Sequence, residues 1–162
     1  MHDIIKNSEV CVDDPWRLLT IDQLDSGEEV ASFSIVPYEY WKEHKQKLLG
    51  HKTGIFIDSH EIPVFTVQEL EQIPLIIINF PVFSDGRGFS IARILREKLG
   101  YAGEIRAYGQ FIRDQLTYLK RCGFTSFQPG YSTDLNEMLK SINDFSDGYQ
   151  SDSNGITAVY NR

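Results

Sequence analysis

Residues 75–100 read LIIINFPVFSDGRGFSIARILREKLG and predict a strand, a glycine-containing loop and a helix, in that order. Leu75–Phe80 is an apolar run interrupted only by Asn79, which is typical of a strand buried on both faces. Ser84–Gly88 is a polar loop, and an amphipathic helix begins near Phe89. The start of a helix leaves backbone N–H groups without partners, and Arg87 stands beside them. The pattern therefore favours binding of an anion at this turn.

Short apolar runs and helical patterns alternate along most of the chain. This alternation predicts an α/β fold of repeated β–α units with a mainly parallel sheet. Two architectures stay open, half of a (β/α) barrel or an open doubly wound sheet, since a complete barrel needs roughly 250 residues. The predicted strands are 30–36, 54–57, 75–80, 104–108 and 124–127, and the predicted helices are 38–49, 67–71, 89–99, 110–122 and 133–145.

Composition divides the chain into three segments. Residues 1–27 are polar and acidic and predict a loosely ordered N-terminal arm. Residues 28–146 carry the β–α pattern and predict a single α/β domain, for which a chain of 162 residues is long enough. Residues 147–162 are rich in Ser, Asp, Asn and Gly and predict a flexible C-terminal tail.

Charge and cysteine content restrict the classes of function. The formal net charge is −7, so there is no surplus of cations for the phosphates of nucleic acid or of an anionic membrane. No apolar run approaches the length of about 20 residues that a membrane span needs. The two cysteines, Cys11 and Cys122, form no C-x-x-C motif, and a cytoplasmic location is expected. The four histidines are scattered, so neither a metal site nor a cofactor is expected.

The loops that follow the predicted strands are where either architecture places a ligand. They are 58–60, 84–88, 109–110 and 128–130. Glycines allow close approach to the backbone, and the Arg87 guanidinium offers a planar fork of donors for an oxyanion. The start of the next helix adds a second arginine and aspartate at the same rim. The residues predicted to bind are Asp85, Gly86, Arg87, Gly88, Ser90, Arg93, Arg113, Asp114 and Gln115.

A structural role fits the same residues. Asp85 would then cap the helix, Arg87 would pair with a surface acid, and Arg113–Gln115 would be a solvated first helical turn. No nucleophile can be paired with a base from the sequence. The catalytic residues are therefore unknown, and the question of whether the protein is an enzyme stays open.

The middle of the chain resembles an uncharacterised bacterial family, domain of unknown function 934. The resemblance centres on residues 80–127, FPVFSDGRGFSIARILREKLGYAGEIRAYGQFIRDQLTYLKRCGFTSF, and extends from about Trp41 to Gln150. The matching pieces include Asp85–Gly88 and Arg113–Gln115. One departure is Gln110, which follows Gly109 where the family usually has an aspartate.

The resemblance implies a metabolic setting. Genes of this family typically lie beside the gene for the sulfite reductase haemoprotein. This implies an accessory protein of sulfite reduction, sulfate assimilation and cysteine biosynthesis, with a small oxyanion or sulfite reductase components as binding partners. The alternatives are an oxidoreductase subunit that acts directly in sulfite reduction and a protein–protein interaction module. A homodimer is also expected, because a half barrel or an open sheet leaves edges that a second copy can cover.

Overall fold

The computed structural model describes residues 3–143. Its strands are β1 (Ile4–Lys6), β2 (Glu9–Cys11), β3 (Arg17–Leu18), β4 (Ser34–Pro37), β5 (Thr53–Ile57), β6 (Leu75–Phe80), β7 (Glu104–Gly109) and β8 (Ser126–Pro129). Its helices are α1 (Ile21–Asp25), α2 (Tyr38–Leu48), α3 (Val67–Glu71), α4 (Arg87–Arg93), α5 (Leu116–Cys122) and α6 (Leu135–Asn143). The predicted tail, 147–162, lies outside the described residues.

The described strands form one sheet in the order β2-β1-β8-β7-β6-β5-β4-β3. Neighbours from β3 to β8 are parallel, whereas β1 is antiparallel to both β8 and β2. The predicted α/β class is confirmed, with a mixed and mostly parallel sheet. From β3 to β8 the order follows the chain, and the sheet curls like half a barrel. A doubly wound sheet would need a point at which the strand order reverses.

The N-terminal segment does not form a loosely ordered arm, and that prediction is wrong for residues 4–25. The hairpin of β1 and β2 covers the edge of β8, where Ile5 lies opposite Phe127. The side chains of Ile4 and Ile5 are fully buried. The chain then crosses to the opposite edge, where β3 pairs with β4. Burial of two isoleucines and pairing of an open edge outweigh the polar composition of this segment.

The two faces of the sheet are covered differently. One face packs against the helices, and Ile76 and Ile105 there share a core cluster with Leu95 and Leu116. The opposite face, called here the inner face, carries a smaller cluster of Ile35, Leu75 and Ile77. Trp16, Phe56 and Tyr108 pack against this smaller cluster. Because strand side chains alternate between faces, each strand contributes to both layers.

A buried ion network lies on the inner face. The Arg106 side chain is 1% exposed and binds both oxygens of Asp14, at 2.9 Å from Nη1 and 3.1 Å from Nη2. Its Nη2 also lies 2.9 Å from Glu104 Oε1, and its Nη1 donates to Gln128 Oε1 at 3.2 Å. The network ties the segment between β2 and β3 to the middle of the sheet. Neither Arg106 nor Asp14 was predicted from the sequence to be a functional residue.

Several predicted elements are shifted. The helix predicted over 89–99 begins earlier, at Arg87, and continues from α4 as a π-helical turn over Ile94–Lys98. The helix predicted over 110–122 begins only at a 3₁₀ turn, Arg113–Gln115, because Ile112 stays extended and donates its N–H to the Gln115 side chain. The helix predicted over 133–145 begins at Leu135, and residues 144–145 lie outside the described part.

Candidate functional site

Side chains from two neighbouring loops meet at the carboxyl ends of β5 and β6. The Asn79 amide, at the end of β6, donates to Asp58 Oδ1 at 3.1 Å. The backbone N–H of Ser59 donates to the same oxygen at 2.8 Å, and Ser59 is almost completely buried. The loop after β5 is thereby fixed to the strand that precedes the Arg87 loop. Asp58, Ser59 and Asn79 were not predicted as site residues, although the loop 58–60 was placed at this rim.

Arg87 is held by Asp85. Its Nε and Nη2 donate to the two carboxylate oxygens of Asp85 at 3.0 Å and 2.7 Å, and Nη2 also donates to Ser59 Oγ at 3.1 Å. The Asp85 carboxylate accepts the backbone N–H of Arg87 as well, at 3.1 Å. The hydrogen bonds from Arg87 hold the pKa of the Asp85 carboxyl well below its usual range. The pairing of Arg87 with an acid matches the structural role considered from the sequence, whereas the N-cap of α4 is Gly86 and not Asp85.

A cavity of ≈ 430 Å³ opens beside this pair. Its polar lining, called here the polar end, is Ser59, His60, Glu61, Arg87 and Ser90, and its remaining wall is apolar. The Arg87 side chain is 60% exposed, whereas that of Asp85 is only 9% exposed. Burial raises the pKa of the Glu61 carboxyl above its ordinary value. The apolar wall comes from the loop after β5, from α4 and from the π-helical turn, and includes Ile62, Pro63, Ile91, Ile94, Leu95 and Leu99.

Of the two glycines in the loop, Gly88 has a packing role and Gly86 does not. A Cβ at Gly88 would lie 2.7 Å from Cζ of Phe80, so glycine here allows α4 to pack directly on β6. Gly86 has φ of −87°, which any residue adopts. The N–H that follows Gly86 is already taken by the Asp85 carboxylate. These contacts therefore do not favour the predicted binding of an anion by the backbone at Gly86 and Gly88.

The remaining predicted residues lie away from the cavity. Arg93 Nη1 donates to Glu97 at 3.4 Å, and its guanidinium lies 5.9 Å from the centre of the Tyr118 ring. Arg113 donates to the Ser141 hydroxyl on α6 and thus does not reach Arg87.

Gln115 and Asp114 complete the predicted set. The Gln115 amide donates to the Phe83 carbonyl at 2.9 Å and so ties α5 to the loop after β6. Asp114 is exposed in the 3₁₀ turn. Of the nine predicted residues, the structure brings Arg87 and Ser90 to the cavity, with Asp85 paired to Arg87.

The next loop along the rim is closed by backbone contacts. Gly109 has φ of +111°, and a Cβ there would lie 2.5 Å from the Phe80 carbonyl oxygen. The N–H of Gln110 donates to that same oxygen at 2.8 Å. Gln110 itself is exposed. Gly109 is thus fixed by the close approach of β7 to β6.

Comparisons with known proteins give one match. The model of a family described as a bacterial protein of unknown function (DUF934) matches residues 54–160, which include the cavity and leave out β1–β4. No curated protein and no solved structure matches the chain. Among the residues that the structure describes, no helix is long and apolar enough to cross a membrane. Within residues 3–143, no three side chains of His, Cys, Asp or Glu converge so as to hold a metal ion.

Proposed function

The chain belongs to the DUF934 family, and we propose that it is an accessory protein of sulfite reduction and sulfate assimilation that docks a partner protein at the cavity beside Arg87. The metabolic setting rests on the resemblance to a family encoded beside sulfite reductase. The docking role rests on the apolar side chains that stay exposed around the cavity. The proposal also treats β4–β8 as repeated β–α units, whose loops form one rim.

The exposed apolar side chains supply the contact area. Ile62 is 87% exposed and Ile94 is 44% exposed, and both line the cavity. Isolated apolar residues are common on surfaces, but a concave site with an apolar wall and an apolar margin is typical of a binding site. An apolar side chain of a partner fits this wall.

Charge at the polar end defines the chemistry of the partner. Asp85 and Asp58 both act on the Arg87 guanidinium and raise its pKa, and the Glu61 carboxylate lines the same end. The three carboxyl groups therefore outnumber the Arg87 guanidinium, and the His60 ring, which also lines the cavity, lies 3.8 Å from Asp58. Because complementary charge favours specific association, the partner segment should carry a Lys or Arg next to its apolar side chain.

Aspartate substitutions at the cavity wall test the docking role. We expect Ile62→Asp and Ile94→Asp each to weaken binding to a sulfite reductase component at least tenfold, because a charge would face the apolar contact. Val12→Asp, at a position 64% exposed in the segment between β2 and β3, serves as the matched control. Binding is measured by interferometry with the purified haemoprotein component. Equal binding by all four proteins would contradict the proposed surface.

A small oxyanion at Arg87 is the second candidate ligand. It is favoured by the 60% exposure of the Arg87 side chain, whose Nη1 donates to none of the described residues. We expect sulfite binding to be weak in the wild type because Asp85 already neutralises the arginine. Asp85→Asn should strengthen it roughly tenfold while keeping an acceptor for the Arg87 backbone N–H, and Arg87→Ala should abolish it. Calorimetry with sulfite and phosphate measures the change; identical heats for all three proteins would exclude the site.

A further inference from the structure

A second cavity lies on the inner face, on the other side of the sheet from the helices. Its volume is ≈ 260 Å³. Its lining includes Pro15 and Trp16, from the segment that crosses the inner face before β3, Arg17 and Leu18 of the edge strand β3, and strand residues that include Ile35 and Ile77. The cavity is therefore a slot between a crossing segment and a sheet.

Three aromatic side chains line the slot. Phe56 and Tyr108 meet edge to face, with their ring centres 5.7 Å apart. Trp16 is held edge to face by Phe33 at 5.2 Å. Trp16, Phe56 and Tyr108 all line the cavity and are all partly exposed. Rings fixed in this way offer faces and edges to which another aromatic ring packs favourably.

The charged groups at the slot are already paired. The Arg17 guanidinium lies 2.9 Å from Glu28, and Arg106, behind the slot, is bound by Asp14 and Glu104. A ligand therefore finds no uncompensated charge among the described residues at this site. This favours a neutral ligand and separates the slot from the acidic cavity at the rim.

Two polar side chains that line the slot have hydrogen-bonding groups left for the edge of a ligand. Tyr108 and Gln128 lie opposite each other on β7 and β8, and both line the cavity. Gln128 Oε1 accepts from Arg106 at 3.2 Å, which fixes the amide so that its NH₂ group is the remaining donor. Neither this NH₂ group nor the Tyr108 hydroxyl bonds to another residue within 3–143.

We propose that this slot binds a neutral, planar bicyclic ring that carries an acceptor and a donor on one edge, such as a lactam or a purine-like base. The ring carbonyl accepts from the Gln128 amide, and the ring N–H donates to the Tyr108 hydroxyl. Trp16, Phe56 and Ile77 contact the ring. An apolar cavity of about 150 Å³ is enough for benzene, so a cavity of this size has room for a second fused ring.

The test uses 2-quinolinone as the probe and its fully saturated analogue as the non-planar control. We expect calorimetry and ligand-observed NMR on the full chain to detect 2-quinolinone and to show at least fivefold weaker binding of the saturated analogue. Tyr108→Phe keeps the ring and removes the hydroxyl, so it should weaken 2-quinolinone binding about 3- to 10-fold. Tyr40→Phe, on the helix side of the sheet, is the matched control and should bind normally.

Further measurements keep the proposal open to refutation. Trp16→Ala should remove one wall and reduce affinity, with circular dichroism confirming that the variant is folded. The proposal fails if wild type binds neither 2-quinolinone nor hypoxanthine, or if Tyr108→Phe binds as well as wild type. It also fails if light scattering shows a dimer that Trp16→Ala dissociates while no ring binds, since a second copy would then occupy this face.

Discussion

Replacing Arg106 with leucine should lower the free energy of unfolding by about 3–5 kcal/mol. The guanidinium is 1% exposed and is the shared partner of Asp14 and Glu104, whose side chains are 6% and 12% exposed. Leucine would leave the Asp14 carboxylate buried without its cation, and Glu104 would keep Lys6, at 2.9 Å, and the Ser126 hydroxyl, at 2.7 Å, as partners. A buried charge without a partner costs several kcal/mol, whereas the lost side-chain contacts cost less. Urea denaturation followed by circular dichroism measures the change.

Arg17→Leu is the matched control for this substitution. It removes the same group from a pair with Glu28 at 2.9 Å, but the Arg17 side chain is 62% exposed. An exposed ion pair contributes at most about 1 kcal/mol, so the control should remain close to wild type. Asp14→Asn combined with Glu104→Gln should recover part of the loss in Arg106→Leu, because neutral amides do not need the cation. A loss below 1 kcal/mol in Arg106→Leu would show that the network is not structural.

The Arg106 network also separates what a local sequence pattern predicts from what it cannot predict. The strand around Arg106 was predicted from its local pattern, and so were β6 and α3, whose bounds agree with the prediction. The partner of Arg106 could not be found in this way, because Asp14 is separated from it by 92 residues and stands in a segment with polar composition. Two- and three-residue strands such as β1–β3 are too short for a period of two to be recognised.

The candidate site was predicted in part, for similar reasons. A strand followed by a glycine loop and a helix places Arg87 at the rim whatever the rest of the chain does. The direction of Arg113 depends on the position of α6, which carries its Ser141 partner, and no local pattern fixes that position. The contribution of Ser59 depends on the loop after β5 folding towards Asp85. The local pattern therefore predicted the position of Arg87 in the loop after β6, and tertiary packing decided which side chains surround it.

Replacing Arg96 with methionine should destabilise the protein by about 3 kcal/mol, because its donors serve three buried or half-buried carbonyl groups. Arg96 donates to the Gly123 carbonyl from Nε at 3.0 Å and from Nη2 at 2.8 Å. Its Nη1 donates to the carbonyls of Tyr101 at 2.8 Å and Gly103 at 2.7 Å. These bonds join the end of α5 to the loop before β7. Burial lowers the pKa of the Arg96 guanidinium, but an arginine stays charged at neutral pH.

Methionine keeps most of the apolar stem of Arg96, so the substitution isolates the loss of the donors. Arg96→Lys should recover less than half of the stability, because an ammonium group donates from one point and cannot reach carbonyls on both sides. Lys98→Met, at an exposed position of the same π-helical turn, is the control and should change the free energy of unfolding by less than 0.5 kcal/mol, roughly the range of surface substitutions. Denaturation midpoints are measured for the three variants. If Arg96→Lys is as stable as wild type, the positive charge alone, and not the planar fork of donors, holds this loop.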